Sequence, residues 1–192
     1  MLDVGGLREE LTFPVDLKDS TIRLAPWSDA DLSALEEAAT DGAITRITAV
    51  PTPYSREAAA AFVRDRHDAA RQGLALSMAI HDKETDATLG GVNLNSFDWQ
   101  RGSAKGGYWV VASGRGRGAA TRALKLISDW GLGNLPLRRL EMHIEPDNKA
   151  SIKVATGAGY HEAGSVRDKP FGKDLELDML RYVRDAGLSA RV

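Results

Sequence analysis

The chain has 192 residues, no cysteine, 43% hydrophobic and 27% charged side chains. This is the size and balance of one ordinary folded domain (1–192, core about 20–183), and it excludes a disulfide-stapled mini-protein, a thiolate metal site, a cysteine nucleophile and a disordered chain. The net charge of −2 argues against non-specific nucleic-acid binding. No apolar run reaches membrane-spanning length and Met1 to Glu10 carry no secretion signal, so the expected setting is cytoplasmic, with neither nucleic acid nor membrane as partner.

In chain order, Thr21 to Ala25 alternates and stops at Pro26, which predicts a strand. Ser28 or Asp29 then caps a short acidic helix to about Ala39, with Leu32 and Leu35 as its buried positions. Pro51, Pro53 and Ser55 mark a loop and a helix start, and Ala59, Phe62, Val63, Arg66 and Ala70 keep helical spacing up to Gly73. Ala75 to Ile80 and Thr88 to Phe97 are extended, and the polar run His81 to Asp86 between them predicts an antiparallel hairpin. Gly107 to Ala112 is apolar and β-prone, fit for a central strand. After the glycine-rich stretch Ser113 to Thr121 comes an amphipathic helix with Ala120, Ala123, Leu124, Ile127 and Trp130 on its buried face, ending near Gly131 or Gly133. Arg138 to Glu145 alternates, placing Leu140, Met142 and Ile144 on one face and Glu141, His143 and Glu145 on the other. Pro146 to Asn148 caps a helix from about Lys149 to Thr156, and Tyr160 to Val166 and Leu175 to Val183 are extended. With no internal repeat, the fold class is mixed α/β.

Charge is unevenly spread. Met1 to Asp41 holds ten acidic residues against Arg8, Lys18 and Arg23, whereas Trp99 to Ser128 holds no acid and six cations, Arg101, Lys105, Arg115, Arg117, Arg122 and Lys125. That window surrounds a strand, glycine loop and helix, in which unpaired backbone N–H groups meet the positive end of a helix dipole. Such a turn is an anion site, and Arg115 and Arg117 add charge suited to a pyrophosphate. A Walker loop is excluded, because Gly118 is followed by Ala119-Ala120 and not by Lys-Ser/Thr. A dinucleotide fingerprint stays open, since Gly114, Gly116 and Ala119 fit G-x-G-x-x-A with Glu141 or Glu145 as the later acid, although only about 75 residues follow.

Arg115-x-x-Gly118-x-Ala120 also resembles the coenzyme A signature [Q/R]-x-x-G-x-[G/A] of the GNAT acetyltransferases. With Gly107-Tyr108-Trp109-Val110 before it and Pro146 to Ser151 after it, the chain is similar to the RimJ/RimL branch from about Thr21 to Tyr182. The resemblance implies a splayed, largely antiparallel mixed sheet flanked by helices, and direct acetyl transfer from acetyl-CoA to a primary amine on a peptide N-terminus or small molecule. It implies that Arg115, Gly116, Arg117, Gly118, Ala119, Ala120 and Thr121 hold the pyrophosphate. Val110 and Val111 would pair with the pantetheine arm as an added strand, and Asn148 would contact it while Ser151 serves the leaving thiolate. Asn148 and Ser151 equally suit a helix cap. Where that branch often has glutamate, two residues before Gly-Tyr, this chain has Lys105, which would disfavour a charged acceptor nearby. Glu141 is therefore the first candidate for assisting the amine, although it also reads as a solvated residue on an outer strand face. The acidic N-terminal third is expected to draw a cationic acceptor. His67, His81, His143 and His161 fall on four elements without ligand spacing, so no metal is expected. Homodimerisation, and a non-catalytic acyl-CoA-binding module, are left open.

Overall fold

The computed structural model describes residues 11–14, 16–169 and 176–187; Met1 to Glu10 and the expected strand start at Leu175 lie outside them. The β-prone runs form strands β1 (Ile22–Pro26), β2 (Ala75–Asp82), β3 (Thr88–Asp98), β4 (Ser103–Val110), β5 (Arg139–Ile144), β6 (His161–Asp168) and β7 (Leu177–Asp185). The periodic segments form helices α1 (Leu32–Ala39), α2 (Gly42–Ile47), α3 (Arg56–Arg71), α4 (Ala119–Asn134) and α5 (Lys149–Gly157). Short polar side chains start them. Ser28 caps a 3₁₀ turn that leads into α1, and Asp41, Ser55 and Asn148 accept backbone N–H bonds at the starts of α2, α3 and α5.

The strands form one mixed sheet in the order β1-β2-β3-β4-β5-β7-β6, with β4 at its centre. Every neighbouring pair is antiparallel except β4 with β5. That single parallel step rules out the dinucleotide reading, which needs successive parallel βαβ units. β4 and β5 pair only at Ser103 with Arg139, Ala104 with Leu140 and Lys105 with Glu141. Beyond these positions they part, so the middle of the sheet is split.

Each face of the sheet carries its own core. On one face Leu124 and Ile127 of α4 are fully buried with Val92, Leu94, Leu140 and Tyr160, each large aliphatic contributing roughly 1.5–3 kcal/mol. On the other, Trp27, Leu35, Phe62 and Val63 pack with Trp109. Trp27 stacks on Trp109 with ring centroids 5.7 Å apart and donates Nε1–H to Ser77 Oγ at 3.1 Å.

The structure shifts several expected boundaries. β4 begins at Ser103, four residues before the apolar run, because Ser103 and Lys105 are held by partners on both sides. It ends at Val110, where the chain enters a 3₁₀ turn at Ala112–Gly114. Helix α2 lies in a stretch too short to display a period. In α1, Ala34 and Ala38 are buried beside Leu32 and Leu35. In α4, Ala119, Ser128 and Gly131 face the core, whereas Ala120 and Trp130 are only partly buried.

Candidate active site

Gly116 and Gly118 in the loop between β4 and α4 have φ of +80° and +74°, in the left-handed region that favours glycine. Gly118 stands at the N-cap of α4, which has no capping side chain and no acidic residue in its first turn. Among the described residues, no group accepts a hydrogen bond from the N–H groups of Gly116 to Thr121. The positive end of a sixteen-residue helix is thus uncompensated and lined with donors, as a phosphate requires. The arginines here are already engaged. Arg115 pairs with Asp41 and donates Nε–H to the Val110 carbonyl at 3.1 Å, Arg117 lies 3.8 Å from Asp82, and Arg122 pairs with Asp19 at 2.9 Å. The bond from Arg115 holds the Asp41 carboxyl below its ordinary pKa.

Val111 donates its N–H to Leu89 on the β3 side and accepts from Gly114 through its carbonyl. The trans peptide therefore turns the Val110 carbonyl the opposite way, into the split. Of the two expected strand-pairing residues, Val110 turns its carbonyl away from β3, where it already accepts from Arg115 and keeps one lone pair, while both backbone groups of Val111 serve the protein. At the mouth of the split, Asn148 Oδ1 accepts the Ser151 N–H at 3.0 Å, and the Tyr108 hydroxyl donates to Ser151 Oγ at 3.0 Å. Burial raises the Tyr108 pKa, only partly offset by Ser151, and keeps the phenol protonated.

Strand register aligns Ala75, Asn95, Lys105 and Glu141 in one row across the sheet, on the side covered by α3. Here Lys105 donates to Asp168 at 2.7 Å. His143 sits between two carboxylates, with Nδ1 2.6 Å from Asp168 and Nε2 3.3 Å from Glu141. Burial pushes the Asp168 pKa up, but the bonds from Lys105 and His143 outweigh it and hold the group below the ordinary value. Just past the end of β5, Arg46 of α2 meets both Glu145 oxygens, at 2.6 and 2.7 Å.

A cavity of about 220 Å³ joins these groups. Its wall includes Tyr108, Asn148 and Ser151 from the α5 side and Phe62, Arg66, His143 and Asp168 from the α3 side, so it passes through the split sheet. Glu141 is not in the wall; it reaches the cavity only through His143. The sequence offered no local signal for Asp168 or Tyr108 as members of the site, because their partners lie 63 and 43 residues away.

A family model described as "Acetyltransferase (GNAT) domain" matches residues 21–161. The chain belongs to the GNAT acetyltransferase family. This GNAT enzyme is 29% identical over 175 residues to the "Uncharacterized N-acetyltransferase p20" of Bacillus licheniformis, covering 91% of this chain and 92% of the relative. In fold it is similar to Mycobacterium smegmatis RimJ in complex with CoA-disulfide, with a TM-score of 0.73, 22% identity, and coverage of 86% of this chain and 82% of that one. It is also similar to RimL, a ribosomal L7/L12 alpha-N-protein acetyltransferase in complex with coenzyme A, with a TM-score of 0.71, 20% identity and coverage of 87% and 95%. The GNAT chain is thus an acyltransferase acting on an amine, with the RimJ/RimL-type sheet. No helix among the described residues is long and apolar enough to cross a membrane.

Proposed function

We propose that this N-acetyltransferase binds acetyl-CoA from the α4 and α5 side of the split sheet and a primary amine, on a peptide N-terminus or small molecule, from the α3 side. The observation that supports this is the cavity through the split, with Ser151 on one side and the Lys105, His143 and Asp168 cluster on the other. Backbone N–H groups from Gly116 to Thr121 bind the pyrophosphate, with Arg115 and Arg117 adding charge. Val110 and Asn148 contact the pantetheine arm, with Val111 fixing the strand end beside it. The amine nitrogen attacks the thioester carbonyl directly, a C–N bond forms and the C–S bond breaks. The amine proton passes to the His143-centred cluster, with Asp168 at the cavity wall and Glu141 behind the imidazole. The leaving sulfur takes a hydrogen bond or proton from Ser151. An α-amine, with a pKa of roughly 7.7–8.0, needs little help to be neutral, so a weak base suffices. Lys105 occupies the position where a glutamate was expected, but its charge is matched by Asp168, so a carboxylate reaches the same spot from β6.

Calorimetric titration with acetyl-CoA, beside an Arg115→Ala/Arg117→Ala variant and with NADH as control, tests the cofactor half. Micromolar binding that falls about tenfold or more in the variant is expected, since each charged hydrogen bond is worth roughly 1.5–3 kcal/mol. No acetyl-CoA binding would refute the reading. Thiol release that requires an added amine tests the transfer half, and binding without any such release would favour the non-catalytic module.

A further inference from the structure

The cations around the cavity are not equivalent. Lys105 is matched by Asp168, and Arg46, behind the wall, is matched by Glu145. Arg66 of α3 lines the cavity, and among the described residues it has neither an ion pair nor a hydrogen-bond partner, with its Nε fully buried. It follows Phe62 by one helical turn, and its guanidinium lies 4.6 Å above that ring. Burial draws its pKa down against the opposing charge of Asp65, yet a guanidinium remains cationic at any working pH. Arg66 is half-buried, with Nε out of water and unpaired, so an anion entering the cavity would meet a guanidinium whose donors no protein group occupies.

The two carboxylates in the cavity wall are already matched, Asp168 by Lys105 and His143, and Glu145 by Arg46. Ser77, Asn93, Asn95 and Ser96 line the same cavity with neutral groups, and Asn95 spends one donor on Asn93 at 2.6 Å. Among the described acids of the N-terminal third, Asp19 is turned to Arg122, Asp41 to Arg115, and Glu37 to the Ser113 hydroxyl and N–H. These three carboxylates are thus engaged with protein groups and not with the cavity.

We propose that the acceptor carries a carboxylate near its reacting amine and that Arg66 binds it, an inference that rests on the N-acetyltransferase reading. The guanidinium fork offers two parallel N–H donors to such a group, which sets both the register of the acceptor and its class. The carboxylate is either an acidic side chain next to a peptide N-terminus or the α-carboxylate of a free amino acid.

The test is acetyl-CoA-dependent thiol release with the tetrapeptide amides Ala-Glu-Ala-Ala, Ala-Gln-Ala-Ala and Ala-Lys-Ala-Ala, with free alanine and alaninamide, and with spermidine. The expected result is a kcat/KM for the glutamate peptide, or for alanine over alaninamide, at least about tenfold above its neutral match, with spermidine poorest. Which pair shows the preference identifies the source of the carboxylate. Arg66→Met should collapse that preference to within about twofold, mainly through KM, while acetyl-CoA affinity is unchanged and reports an intact fold; Arg66→Lys should restore part of it. Equal turnover of neutral, cationic and acidic acceptors, or a preference that survives in Arg66→Met, overturns the inference and leaves acetyl transfer standing. Absence of thiol release with every amine overturns the transferase reading and this inference with it.

Discussion

Ser151 shows how one side chain can be both a cap contact and a chemical group without conflict. The cap of α5 uses its backbone N–H, which bonds to Asn148, so the hydroxyl is spare. Because the protonated Tyr108 donates to Ser151 Oγ, the serine's own proton is directed elsewhere, toward the sulfur in the proposed mechanism. Ser151→Ala should therefore keep the fold and the acetyl-CoA affinity while lowering kcat by about 100-fold, the lower range for a positioned acid. Tyr108→Phe keeps the packing and removes only the orienting bond, so a loss of about threefold to tenfold is expected, in line with a net hydrogen bond of ~1 kcal/mol. Both are read by steady-state kinetics beside calorimetry; a Ser151→Ala enzyme with wild-type kcat would show that Ser151 is structural only. Asn148 and Ser151 were legible in the sequence as a spaced pair, whereas the Tyr108 contact was not, because only the parting of β4 from β5 brings it to α5.

At the level of elements, the His143 cluster ties three strands that are distant in the chain. Lys105 on β4 and His143 on β5 both bond Asp168 at the end of β6, and β6 reaches them only through β7. Period-two alternation in β5 made the shared face of Glu141 and His143 readable, but nothing local marks Asp168 as their partner. Helix α2 was missed for a related reason. Its six residues are too few to show periodicity, though Asp41 before Ile44 and Ile47 is a cap followed by apolar spacing. The start of β4 was hidden because Ser103 to Gly107 is polar and glycine-rich, and pairing on both sides overrides that propensity. The cluster also sets a pH dependence. Asp168 has a folded pKa below its ordinary carboxylate value, so its contribution is fully present above about pH 4 and lost as pH falls through the lowered value. Thermal melts of wild type and Asp168→Asn should differ most near neutrality, with wild type the more stable, and converge as the pH drops below about 4. A gap that stays constant into acid would mean the ion pair adds nothing.

Across the whole molecule, the charge asymmetry visible in the sequence turns out to be an internal match as well as a ligand signal. The acid-poor window reads as a footprint for a polyanion, and the glycine loop does sit there with its N–H groups unused. What composition could not reveal is that the acidic N-terminal third folds onto the same window, so Asp41 and Asp19 hold Arg115 and Arg122. In the proposed binding mode Asp41 would compete with the pyrophosphate for Arg115, and Asp19 would hold back Arg122, the residue next to the last loop N–H. In both, one oxygen caps backbone N–H groups while the other meets the arginine: Asp19 Oδ1 accepts from Thr21 and Ile22, and Asp41 Oδ1 from Ala43 and Ile44. Asparagine preserves the capping oxygen and removes the charge, so Asp19→Asn/Asp41→Asn should fold normally with both arginines released. Acetyl-CoA should then bind about threefold to tenfold more tightly at low salt, the scale of one or two partly exposed ion pairs. Raising salt to about 0.5 M, where the Debye length shrinks to roughly 4 Å, should erase most of the difference. Titrations at the two ionic strengths decide the matter: tighter binding that vanishes with salt identifies the acidic third as a brake on cofactor affinity, whereas weaker binding would mean that Asp19 and Asp41 position the arginines for the phosphates.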